Sequence, residues 1–96
     1  MRKHGRVDDN QKAIIALLRD LNCSVISTAS LGNGFPDIIV GVGGENFLFE
    51  LKNPNKPKSA KKLTEAEQKW HEEWREQVAT VENIGQILEI IGINIQ

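Results

Sequence analysis

Ile14, Leu17, Leu18 and Leu21 fall at the i, i+3, i+4, i+7 spacing of a single helix face, which predicts an amphipathic helix over 9–21. Asp8 or Asp9 can cap its start, Asp8 with Gln11 having the spacing of a capping box, and Asn22 stops it. Residues 23–28 alternate and are rich in β-branched side chains, so they predict a strand; 29–35 carry Gly32, Asn33 and Gly34 and predict a loop. Two further strand-like runs, 36–42 and 45–52, flank Gly43-Gly44, the composition of a tight hairpin turn. Thr64-x-x-Glu67 has capping-box spacing and opens a helix to about Gln77, with Ala66, Trp70, Trp74 and Val78 as its apolar stripe. A short strand at 78–81 and a helix at 84–91, ended by Gly92, complete the chain. The order αβββαβα predicts an α+β (α/β) fold with a mixed sheet. No repeat or linker interrupts it, so residues 1–96 read as one domain.

Composition narrows the class. With 40% apolar and 26% charged residues the chain is of ordinary globular type, and its Ile- and Leu-rich stretches exclude a disordered tail. No apolar run approaches the roughly 20 residues of a membrane span. Arg2, Lys3 and Arg6 lead into Asp8 and Asp9 rather than an apolar segment, so no secretory leader is expected and a cytoplasmic location is. The one cysteine, Cys23, cannot form an internal disulfide and is expected to be buried and inert. His4 and His71 have no pattern for metal or nucleophilic chemistry, and no phosphate-cradling glycine loop precedes a helix. A core this small is marginal alone, which makes a homodimer the expected state.

The net charge of −1 conceals an asymmetry: five lysines (52, 56, 58, 61, 62) and no acid lie between Lys52 and Lys62, followed by five glutamates between Thr64 and Gln77. This is either a solvated loop followed by a solvated helix face, or a basic flap beside a phosphate backbone; charge alone does not choose.

The hairpin supplies the chemistry. A two-residue turn at Gly43-Gly44 pairs Val42 with Glu45, Val40 with Phe47 and Ile38 with Phe49, an apolar face that Leu51 extends. The other face pairs Gly41 with Asn46, Ile39 with Leu48 and Asp37 with Glu50, and Lys52 projects on that same side. Two carboxylates directly opposite each other destabilise a sheet unless a cation sits between them or one stays protonated. Oxygen donors without histidine or thiolate suit a hard ion such as Mg²⁺ or Mn²⁺. The bland alternative is a pair of surface acids with Lys52 neutralising Glu50; the adjacent lysine-rich loop favours the functional one.

Pro36-Asp37 with Glu50-Leu51-Lys52 resembles the PD-(D/E)xK nuclease pattern, and the αβββαβ order resembles that restriction-endonuclease-like core. More closely, Arg6-Val7-Asp8-Asp9-Asn10-Gln11, Gly34-Phe35-Pro36-Asp37, Phe49 to Asn53 and Leu63-Thr64-x-x-Glu67-Gln68 resemble the small standalone VRR-NUC proteins of phages and prophages. The resemblance implies a Mg²⁺-dependent (or Mn²⁺-dependent) DNA endonuclease in a bacterial or phage-infected cell, with no small-molecule cofactor. Asp37, Glu50 and the backbone carbonyl of Leu51 would bind the metal, and Lys52 would orient the attacking water or stabilise charge on the phosphate. Such nucleases often carry an acid on the first helix. Here Gln11 best fits that place and would hold a metal-bound water, while Gln68 matches a glutamine that follows the core in relatives. Lys56, Lys58, Lys61 and Lys62 would hold the DNA backbone, helped by an arm of Arg2, Lys3 and Arg6. A small symmetric dimer without a sequence-reading domain implies branched DNA, a Holliday junction or a flap. The rival is a nucleic-acid-binding module that keeps the fold without cutting; an RNA-cutting enzyme is a third possibility.

Overall fold

The computed structural model describes residues 9–57 and 62–93. Elements follow the predicted order: α1 (Asp9–Asp20), β1 (Ser24–Ser27), a 3₁₀ turn (Ala29–Leu31), β2 (Ile38–Val42), β3 (Glu45–Leu51), α2 (Glu65–Glu73), β4 (Ala79–Val81) and α3 (Ile84–Ile91). The four strands form one mixed sheet in the order β1-β2-β3-β4, antiparallel except for the parallel β3/β4 pair. The α+β class and the mixed sheet are therefore as predicted.

Local chemistry explains the boundaries. At the end of α1, Asn22 adopts φ 69°; its amide donates to the Arg19 carbonyl (3.0 Å) and the Cys23 amide to that of Leu18 (3.0 Å). This is a Schellman closure, in which an αL residue lets the chain reverse while otherwise unpaired helix carbonyls are satisfied. Gly92, at φ 84°, closes α3 in the same way, with the Ile93 amide on the Leu88 carbonyl. At the hairpin, Gly43 and Gly44 both have positive φ (62° and 82°), as the twist of a two-residue turn requires. The register follows: Ile38 pairs with Phe49, Val40 with Phe47 and Val42 with Glu45.

One face of the sheet is the core. Ile14, Ile15 and Leu18 from α1 and Ile87 and Leu88 from α3 pack against Val25, Ile38, Val40, Phe47, Phe49 and Val81. Cys23 is buried among them, and burial pushes its thiol pKa up, as an inert structural cysteine requires. The helix stripe needs one correction: Ile15 is buried, whereas Leu17 is 38% exposed. α1 is rotated about its axis so that 14, 15 and 18 meet the sheet, because its neighbouring turn must also carry Gln11 inward.

α2 departs further from expectation. It ends at Glu73, short of Gln77, with Trp74 already extended at ψ 127°. The chain must leave the helix there so that Ala79 can pair with Phe49. The Ala66/Trp70/Trp74 stripe does not enter the core, and no residue of α2 is fully buried. Trp70 and Trp74 stack on each other (4.6 Å between centroids) and Phe35 meets Trp70 edge-on at 5.1 Å, forming a separate aromatic cluster. No helix among the described residues is long and apolar enough to cross a membrane.

Candidate active site

The second sheet face carries polar chemistry at the open end of the hairpin. Asp37 sits one residue before β2 and is held through every backbone group. Its amide donates to the Phe49 carbonyl (2.9 Å), and its carbonyl accepts from the Thr28 amide (2.8 Å). The Thr28 hydroxyl donates to the Pro36 carbonyl at 2.6 Å, pinning the preceding residue. The Asp37 side chain reaches across the hairpin, where Oδ2 accepts from the Leu51 amide at 2.8 Å. Glu50 pairs in parallel register with Thr80, and the Lys52 amide donates to the Val81 carbonyl (2.8 Å), so β4 fixes the opposite side.

Glu50 is only 2% exposed; its Oε1 meets no N–H or hydroxyl donor, and its carboxyl lies against those of Asp37 and Glu67, with which it shares hydrogen bonds when protonated. Burying a carboxyl among other carboxyls costs free energy, most of all for its charged form. Burial first, then the charges of Asp37 and Glu67, push the Glu50 pKa up to about 9. Burial also raises Asp37, against the Leu51 amide, which favours its ionised form. Without a metal Glu50 is thus held protonated at neutral pH, even with the Lys52 ammonium 3.7 Å away. Of the two ways to relieve opposed carboxylates, the protein alone takes the proton, and a cation would take its place.

The donors fit such a cation. Two oxygen-only side chains, Asp37 and Glu50, match a hard ion, and Mg²⁺ characteristically uses one or two carboxylates plus waters and substrate phosphates. No group of three or more His, Cys, Asp or Glu side chains among the described residues is arranged to hold a metal. Leu51 contributes its amide to Asp37.

Lys52 is drawn in by two acids. Its Nζ lies 3.0 Å from Glu67 Oε1 and 3.7 Å from Glu50 Oε2. Glu67 is the residue that sequence reasoning missed. Its place in the Thr64 capping box gave it a complete local explanation, and the same carboxylate turns out to meet Lys52 as well. Burial raises the Glu67 pKa, but the Thr64 amide and Lys52 outweigh it and hold it below the usual range. One turn on, His71 feels both Glu67 and Lys52; burial depresses its pKa, and its buried Nε2 lacks a hydrogen bond.

The remaining sequence candidates separate. Gln11 is buried, as its inward position predicts, with Nε2 making long contacts to the Asp37 carbonyl (3.4 Å) and the Ser27 hydroxyl (3.5 Å). Gln68 is exposed and donates along its own helix to Glu72 (3.2 Å), so the structure does not bring it to the pair. Lys56 and Lys62 are exposed, as backbone-holding lysines need to be. Lys58, Lys61 and the arm of Arg2, Lys3 and Arg6 lie outside the described residues, as do His4 and Asp8.

A hollow of about 570 Å³ lies elsewhere on this face, lined by Phe35, Ile39, Leu48 and Trp74 with Glu45 and Glu76. Its apolar and acidic lining does not suit a polyanion. The chain matches no known family model, curated protein or solved structure.

Proposed function

We propose that this chain is a divalent-metal-dependent phosphodiesterase that cuts DNA, of the PD-(D/E)xK type and similar to the VRR-NUC proteins. The observation that carries the reading is the buried Glu50 carboxyl set against the half-buried Asp37, with no N–H or hydroxyl donor on its Oε1 and a nearly buried lysine beside it. A structural role gains nothing from burying two opposed acids.

Asp37 and Glu50 would hold the metal, with the Leu51 carbonyl as a further oxygen. The ion would supply Lewis-acid charge neutralisation and a water of lowered pKa. The chain does the rest. Asp37, clamped by Thr28, Phe49 and Leu51, gives a fixed oxygen. Glu50 gives up its proton when the site is loaded. The Lys52 ammonium stands within reach of the same space and stabilises negative charge on a scissile phosphate. Gln11 supports the Asp37 carbonyl from behind. The exposed Lys56 and Lys62 attract the phosphate backbone without reading sequence, which makes affinity fall with salt. Branched DNA and a homodimer are the substrate class and assembly that the resemblance and the small chain favour.

The test is incubation of junction, flap and linear DNA, and of RNA, with Mg²⁺, Mn²⁺ or EDTA. Cleavage with metal, abolished by EDTA and by Lys52→Ala, is expected. Cleavage unchanged in Lys52→Ala removes the mechanism, and tight binding without cleavage under any metal leaves a non-cutting binding module.

A further inference from the structure

We propose that Glu67 is the positioning residue for Lys52, holding the lysine ammonium beside the Asp37/Glu50 pair; its catalytic consequence rests on the phosphodiesterase reading above. A lysine carries its charge on a flexible four-carbon stem with many rotamers, so that charge acts at a fixed point only if something fixes it. Glu50 is a poor candidate. Its Oε2 stands at 3.7 Å, outside hydrogen-bond range, and its carboxylate is the one to be committed when a cation is bound. Glu67 Oε1, at 3.0 Å, makes a true charge-assisted hydrogen bond.

Glu67 is also held rigidly itself. The oxygen that meets Lys52 accepts from the Thr64 amide (2.9 Å), and the Thr64 hydroxyl accepts from the Glu67 amide (3.1 Å). This first turn of α2 is seated against the loop that leads to Asp37. Gly34, at φ 83°, faces the Ala66 carbonyl so closely that a Cβ there would collide with it, and Phe35 packs edge-on against Trp70. One contact surface therefore locates the loop before Asp37 and the anchor of Lys52 together. The anchor does not depend on Glu50, whose carboxylate is committed to the cation in the state in which the lysine has to act.

Three variants of the full chain separate positioning from helix capping. Glu67→Ala removes cap and anchor. Glu67→Gln keeps an oxygen that can serve both the Thr64 amide and Lys52. Thr64→Ala removes half of the cap and leaves the anchor. Glu67→Ala is expected to lower kcat about 10–100-fold with KM nearly unchanged. Glu67→Gln should recover to within about threefold of the parent, and Thr64→Ala should lower Tm while keeping kcat. Parental kcat in Glu67→Ala, or an equal kcat loss in Thr64→Ala, overturns the proposal. An independent readout is the ¹⁵N–¹H signal of the Lys52 ammonium, seen when its protons are held from exchange. It should persist in the parent and Glu67→Gln and vanish in Glu67→Ala; its survival in Glu67→Ala overturns the anchor. If the parent cleaves nothing, the phosphodiesterase reading falls, and this signal still decides whether Glu67 fixes Lys52.

Discussion

On β2 and β3, Ile38 and Phe49 face α1 and α3 and are 0% and 1% exposed. One residue along, Asp37 and Glu50 face the other way, toward Lys52 and Glu67. The same hairpin thus supplies two surfaces of opposite character. The apolar side stabilises, each large side chain contributing about 1.5–3 kcal/mol by burial. The acidic side costs free energy, because the Glu50 carboxyl is buried beside the like charges of Asp37 and Glu67. The difference teaches that the second surface is tolerated because the first over-determines the strands. Substitutions on the acidic surface should therefore lower cleavage while sparing stability, whereas those on the apolar surface lower stability and take cleavage with it.

The largest effect is expected from Phe49→Ala, which removes a fully buried ring and should cost about 3–5 kcal/mol in urea or thermal unfolding. That is a large part of a typical total of about 5–15 kcal/mol, so cleavage is lost together with the fold. Asp37→Asn should do the reverse, leaving Tm close to the parent while cleavage falls about 10²–10³-fold, or roughly 2.7–4 kcal/mol of transition-state stabilisation. A Tm collapse in Asp37→Asn would merge the two surfaces into one.

Glu50 sharpens the contrast through pH. Its folded pKa, about 9, lies above the ordinary 4.5, so the native state binds the extra proton. That contribution is complete below about pH 4.5 and is lost as pH rises through about 9. Metal-free parent protein should thus lose Tm across this window, and Glu50→Gln, which cannot ionise, should flatten the loss. Because a cation competes with the proton, Mn²⁺ should raise Tm more at pH 8.5 than at pH 5.5. The smallest effect concerns α1: Leu17→Ala should cost under about 1 kcal/mol, against about 2–5 for Leu18→Ala.

Much of this division could be seen in the sequence. Gly43-Gly44 fixed the pairing, and strand alternation then assigned Ile38 and Phe49 to one side and Asp37 and Glu50 to the other. Asn22 and Gly92 marked helix ends because a left-handed residue closes a helix by local rules. What stayed hidden depends on tertiary placement. The Leu17 stripe fitted the helix period equally well at either rotation of α1. The end of α2 carries no glycine or proline, since it is set by the distant pairing of Ala79 with Phe49. The two neighbours Glu67 and Gln68 differ by about 100° around α2, and only the docking of that helix on Gly34 says which one meets Lys52.

The parallel strand β4 has a consequence for the order of assembly. The hairpin from Ile38 to Phe49 closes through neighbours in sequence and can form early, as local contacts do. Lys52, by contrast, has its amide tied to the Val81 carbonyl, so it is seated only after the intervening helix has been threaded back alongside. A chain cut short before residue 81 would keep both acids on the hairpin sequence and lack the carbonyl that holds the Lys52 amide.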